Sequence, residues 1–465
     1  MQKTSASNSN PGNSKNFKKN PASVKPGNWL WFWIVMSGVA VLSATAGALL
    51  AVTLSTKPLM QSQLSPEDQA IFGGRGNRIS RTGLRLTELT RPVNILVLGV
   101  KVLTSDVNTP AAETKKLGYH ALVNSFQGLT DTMLLLQFNP ETKKLTALSI
   151  PRDTRTVVEG RGVTKINTAN VAGGPALSAK TTSELLNGVA IDRYIRINVQ
   201  GVEKLVDALG GVTVYVPKNM KYQDDSQHLY INLKAGKQHL NGNQALQLLR
   251  YRHDETGDIG RIQRQQLVMR SLMEQVVNPG TLARLPQILS VVQSHIDTNL
   301  STEEVMALAA FGVQTNRSNV QMLMLPGRFS EAGEYRTSYW LPDKDRIATM
   351  VTQHFNVSDV ETQTAFDPAK LKVAIANSTG SDRAVRSLVK ALEAAGYRNI
   401  YISKSWPEPL DVTHIVAQQG DTNSAKVIRN VLNVGEVRVE STGNIDSDVT
   451  IQLGQDWLLR QSKGE

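Results

Sequence analysis

One stretch constrains this chain more than any other: residues 29–54 run for 26 positions without a charged side chain. A helix of about 20 apolar residues crosses the hydrocarbon core of a bilayer, so this one is long enough to span with some tilt. Trp29, Trp31 and Trp33 open it, as suits side chains that settle between lipid and water. Lys15, Lys18, Lys19 and Lys25 precede it and Lys57 follows. By the positive-inside rule, residues 1–28 are expected in the cytoplasm and the rest outside. The competing reading is a cleaved secretory signal with Ala44-Thr45-Ala46 as the cleavage triplet. Signal peptides carry apolar regions of about 7–15 residues, shorter than this one, which favours an uncleaved anchor. The expected localisation is the cell membrane, single-pass, with the folded domains extracytoplasmic.

The chain has 465 residues, enough for two or three folded units. It contains no cysteine, which excludes disulfides, iron–sulfur clusters, Cys-ligated zinc and a thiolate nucleophile. The formal net charge is +11, from 51 Lys plus Arg against 40 Asp plus Glu. Residues 1–28 hold five Lys and no acid. Part of the excess is therefore a local tail, and no nucleic-acid partner is expected.

Residues 1–28 are rich in Asn, Ser, Lys and Pro, a composition that cannot bury apolar surface and reads as a disordered tail. Residues 55–90, with Pro58, Pro66, Gly73, Gly74 and Gly76, read as a stalk with some local structure. The continuous apolar run at 93–100 predicts a buried central strand. Residues 132–138 and 145–150 predict two strands joined as a hairpin by Asn139-Pro140-Glu141-Thr142. A strand at 192–198, a helix carrying Val202, Leu205, Val206 and Leu209, and a strand at 212–216 predict a βαβ unit. A long helix is expected from near Asp258, and helix and strand alternate to about residue 354. The expectation is one α/β domain over 91–354, a linker over 355–370 and a second small α/β domain over 371–459.

No GxSxG, GxxxxGK[ST] or HExxH occurs, and the seven His are scattered. Chemistry concentrates instead in residues 249–266. Arg250 and Arg252 are two apart, so in an extended segment they point the same way. Arg261, Arg264 and Gln265 fall in the first turns of the expected helix. Cations oppose the dipole there, and a multiply charged anion gripped by guanidinium groups would explain them. The alternative is a solvated network with Asp254, Glu255 and Asp258. A second cluster is Ser149-Ile150-Pro151-Arg152-Asp153-Thr154, at the outgoing end of a strand. The hairpin brings Asp131 close to Arg152, and a carboxylate beside several Arg suits a divalent cation and a pyrophosphate. Taken alone, Asp131 also reads as a strand-end Asx turn and Lys165 as an exposed loop lysine.

These strings resemble the LytR-CpsA-Psr (LCP) family: NILVLGV at 94–100, TDTMLLLQFNP at 130–140, LSIPRDT at 148–154, KINTANVAGG at 165–174, IDRYIRIN at 191–198, LVDALGGVTVYVP at 205–217, LNGNQALQLLRYRH at 240–253 and GDIGRIQRQQ at 257–266. The segment from LKVAIANSTG at 371–380 to VTIQLGQDW at 449–457 is similar to the LytR C-terminal domain. The resemblance implies an LCP α/β/α sandwich that holds a polyprenyl-pyrophosphate lipid. It implies transfer of the lipid-linked glycopolymer onto peptidoglycan, forming a phosphodiester. The alternatives are a non-catalytic polyprenyl-lipid-binding scaffold and a polyprenyl pyrophosphatase. By position, Arg152, Arg250, Arg252 and Arg261 would bind the pyrophosphate, with Lys165, Arg264 and Gln265 beside them. Asp131 would coordinate Mg²⁺. The family's usual second acidic ligand falls at Lys101, so that either Asp106 substitutes for it or the metal site is weaker, and Leu129 stands where the family often has Arg.

Overall fold

The computed structural model describes residues 59–73, 78–82, 87–101, 126–225, 229–251, 257–355, 367–418 and 420–462. The expected tail over 1–28 and span over 29–54 lie outside the described residues. Among the described residues no helix is long and apolar enough to cross a membrane.

β1 (Val93–Lys101), β2 (Leu129–Asn139), β3 (Lys144–Ile150), β4 (Arg193–Asn198), β5 (Ile296–Thr298) and β6 (Val320–Met324) make a sheet in the order β5-β4-β1-β2-β3-β6. β4 runs parallel to β1 and β6 parallel to β3, and the other neighbours are antiparallel. α1 (Ala169–Leu185), α2 (Gly257–Val276), α3 (Thr302–Gln314) and α4 (Lys344–Phe355) cover its faces. Successive strand residues face opposite ways, and both faces here are apolar. Leu96, Leu98, Met133 and Leu135 pack with Ala176 and Ala179 of α1 and Met350 and Val351 of α4. Ile95, Leu134, Leu136 and Ala147 pack with Met273 of α2 and Ala307 and Phe311 of α3. The result is an α/β/α sandwich, as the unbroken apolar run of β1 requires. Gly173 and Gly174 interrupt α1 ahead of Pro175, with Gly174 at φ +64°, so the helix kinks there.

The described residues of the expected stalk, 59–73, 78–82 and 87–90, pack into this body. Phe72 lies against Tyr194 with ring centroids 5.2 Å apart, and Ile79 and Leu89 join the core under α3. Ser62 donates to the Asp297 carboxylate through N at 2.7 Å and Oγ at 2.9 Å. Asp297 also receives Arg196 Nε at 2.6 Å and the Tyr194 hydroxyl at 3.2 Å. These pairings join residues far apart in the chain, so Pro and Gly content alone misreads the segment.

A second sheet follows, with β7 (Lys372–Asn377), β8 (Asn399–Ile402), β9 (His414–Ala417), β10 (Glu436–Arg438) and β11 (Val449–Leu453) in the order β8-β7-β11-β9-β10. β9 and β11 are antiparallel and the other neighbours parallel. Leu388 and Leu392 of α5 (Asp382–Ala394) and Ile428 and Leu432 of α6 (Thr422–Leu432) pack on its Val373, Ile375, Ile415 and Ile451 face. The opposite face is buried as well, with Ala374, Thr450 and Gln452 all inaccessible. The segment after β10 lies against the first sheet: Met322 N, on edge strand β6, donates to Val439 O at 2.8 Å.

His414 carries a testable consequence. Burial pushes its imidazole down to about 4, against about 6.5 in an unfolded chain. The folded protein holds the neutral form, so this stabilisation is complete above about pH 6.5 and disappears as pH falls toward 4. The expected loss over that window is on the order of 2–3 kcal/mol. Urea midpoints between pH 7.5 and 4.5 should fall, and His414→Gln should reduce the slope. Burial lowers His354 in the same direction, so part of the slope should remain.

Candidate functional site

The β2–β3 hairpin sets the site. Met133 pairs with Ile150, and Asp131 and Arg152 each lie two residues outward of that pair, at one end of the sheet. Arg152 Nη1 donates to Asp131 Oδ1 at 2.6 Å, with the two side chains 24% and 26% exposed. Gly99 pairs with Thr132 beside them, and a Cβ on Gly99 would meet Thr132 Cβ at 3.0 Å. A side chain there would push β1 from β2 next to Asp131.

After β3 the chain turns sharply. Thr154 donates through N at 3.0 Å and through Oγ1 at 2.6 Å to Pro151 O. The ribbon of Arg155–Val158 with Gly162–Lys165 then returns, pairing Arg155 with Lys165. That return delivers Lys165 Nζ to Asp153 Oδ1 at 2.8 Å, while Arg152 Nε lies 3.4 Å from Asp153 Oδ2. Asp153 thus joins the two cations. Asp131, Arg152, Asp153, Gln265, Phe329 and Trp340 line one small pocket. Trp340 N donates to Asp153 O at 2.9 Å, and the Trp340 ring meets Phe329 edge-on at 5.0 Å.

Partly exposed ion pairs contribute about 0–1 kcal/mol, so Arg152 can re-pair with a bound anion at little cost. Its fork suits two phosphate oxygens. Among the described residues no cluster of three His, Asp or Glu could hold a metal. Mg²⁺ is commonly held by one or two carboxylates plus phosphate oxygens. The Asp131 carboxylate, lining the pocket with Arg152, fits that mode.

The structure therefore brings Asp131, Arg152, Lys165 and Gln265 into one neighbourhood. Arg264 is not among the residues lining that pocket. It is buried, donates from Nη2 to Tyr251 O at 2.5 Å and stacks over the Tyr251 ring at 5.5 Å. One residue along a helix is a rotation of about 100°, which separates it from Gln265. Arg250 ends the helix Gly242–Arg250, where a cation complements the dipole, and its Nε is buried without a partner. Arg252 and Asp106 lie outside the described residues, as do the side chains of Arg261 and Lys101. Sequence reasoning placed Asp153 in the second cluster without giving it a role, and missed Trp340. The adjacency of Asp153 to Arg152 was its available signal; Trp340 arrives from far along the chain and had none.

Comparison with known proteins places this chain among relatives. A model described as the LytR_cpsA_psr family matches residues 60–356, and one described as LytR cell envelope-related transcriptional attenuator matches residues 370–457. The protein named polyisoprenyl-teichoic acid–peptidoglycan teichoic acid transferase TagU, from Oceanobacillus iheyensis, is 29% identical over 335 residues, covering 70% of this chain and 93% of that protein. Regulatory protein MsrR of Staphylococcus aureus is 34% identical over 203 residues, covering 43% of this chain; the chain spans 60% of its length. The crystal structure of Bacillus subtilis TagV is 25% identical with a TM-score of 0.47, covering 58% of this chain and 99% of that one.

Proposed function

The chain belongs to the LytR_cpsA_psr family, and from that premise we propose that it transfers a polyprenyl-pyrophosphate-linked glycopolymer onto peptidoglycan. Relatives whose names pair teichoic acid with peptidoglycan supply the substrate class. In this chain the reading is carried by the Asp131–Arg152 pair at the strand ends. An acceptor hydroxyl oxygen bonds to the glycan-side phosphorus, and the bridging P–O bond breaks. The electron pair leaves with polyprenyl phosphate, and the hydroxyl proton is lost to water. The demand is for neutralisation of phosphate charge, without a covalent enzyme intermediate. Arg152 meets it at the pyrophosphate, with Arg250, Arg252 and Arg261 completing the cationic set and Lys165 and Gln265 flanking it. Asp131 would hold Mg²⁺, which supplies further charge neutralisation when bound. Residues 29–54 anchor the chain in the cell membrane on this reading, with its folded part on the wall side.

The test uses the full chain in vesicles with a polyprenyl-pyrophosphate-linked glycan and peptidoglycan. Polyprenyl phosphate release should accompany attachment of glycan to the wall polymer. Chelation of Mg²⁺ or Asp131→Ala should each slow it by about 10²-fold or more. Lipid binding without turnover would put a non-catalytic lipid-binding scaffold in its place. Release without attachment would make the protein a polyprenyl pyrophosphatase.

A further inference from the structure

A second, larger cavity of about 520 Å³ lies between α2 with the 215–220 segment and the loops at 403–408 and 442–446, within the roughly 300–1,000 Å³ range of ligand sites. Its floor is α2: Gly260, Gln263, Arg264 and Leu267 line it, at the i, i+3, i+4, i+7 spacing of one helix face. Gln265 on the same helix lines the Asp131–Arg152 pocket instead. The two sites thus use different faces of α2.

The lining selects the ligand class. Tyr215, from the strand Val212–Val216, and Trp406, from the loop after β8, bring aromatic rings to the wall, and such rings suit the apolar C–H faces of sugar rings. Gln263, Ser403, Thr442 and Asn444 add amide and hydroxyl groups, which interrupt the continuous apolar wall that a lipid tail needs. Lys218, Lys404 and Arg264 stand against Glu408 and Asp446, and Arg264 is held by the Tyr251 carbonyl and ring, so the lining does not gather cations around one point as a phosphate site would. Trp406 Nε1 is buried and reaches no acceptor. Gln263 Nε2 donates across the seam to Gly443 O at 3.2 Å, tying the floor to the far wall.

We propose that this cavity binds a saccharide segment of the acceptor. The assignment of a saccharide as acceptor rests on the transferase reading; the cavity's chemistry does not. The experiment titrates the full chain calorimetrically with a peptide-free N-acetylglucosamine–N-acetylmuramic acid tetrasaccharide. It measures, in parallel, binding of a polyprenyl pyrophosphate lipid. Trp406→Ala removes the aromatic wall and its N–H, and Ser405→Trp fills the cavity from an exposed position without removing core. Saturable saccharide binding, weakened at least tenfold in both variants with lipid binding unchanged, is the expected result. If Trp406→Ala fails to fold, Ser405→Trp alone decides. No saccharide binding by the native chain, or unchanged affinity in a folded variant, overturns the inference while lipid binding leaves the transferase reading standing. Loss of both ligands in the native chain sinks that reading as well.

Discussion

Arg152→Ala is expected to slow polyprenyl phosphate release by about two to three orders of magnitude, the usual loss when one charge-stabilising donor is removed from a transition state. Arg152 is half-buried and paired with Asp131 at 2.6 Å, so its removal takes away the proposed phosphate ligand and frees its carboxylate partner together. Arg152→Lys should recover little, because a point charge does not reproduce a two-pronged guanidinium. Stability should move by no more than about 1 kcal/mol, as for other partly exposed pairs. Steady-state release and urea unfolding of the same preparations check both halves. A variant within threefold of the native rate would remove Arg152 from the mechanism.

The largest effect on stability is expected from Asp297→Ala. Asp297 is 1% exposed and holds Arg196, itself 7% exposed. Removing the acid strands a buried guanidinium, which typically costs about 3–5 kcal/mol. It also releases the Ser62 N–H and hydroxyl and the Tyr194 hydroxyl, detaching the segment that leads to Phe72 from the sheet. The urea midpoint should fall with little change in slope. A loss below about 1 kcal/mol would mean that the network is replaceable by water.

Much of this architecture was readable in the chain before any coordinates. β1 announces itself as an apolar run, β2 and β3 as a hairpin around Asn139-Pro140, and α2 begins beside Asp258 as its periodicity requires. The Asp131–Arg152 contact follows from hairpin register alone, because two residues outward on each strand is a local relation. What stayed hidden depends on long-range pairing. Phe72, Ile79 and Leu89 are isolated apolar residues among Pro and Gly, and only tertiary contact explains them. β6 reaches β3 in parallel from far along the chain, and no local pattern specifies that partner. Arg264 shows the same limit beside the site. Its charge looked like that of an anion ligand, whereas the Tyr251 carbonyl and ring hold it.

The contact between Met322 and Val439 bears on how this protein can be dissected. A β-strand at the border of a sheet offers unpaired amide groups to any passing chain. Residues beyond 370 close part of that border on β6, so they act as a built-in shield against self-association of the part that carries Asp131 and Arg152. A fragment ending near residue 355 would bare both β6 and the wall of α2 that Gln263 now ties to Gly443. Its loss of activity would then report clumping as readily as chemistry. Genetic splitting of this chain therefore asks a question about solubility first.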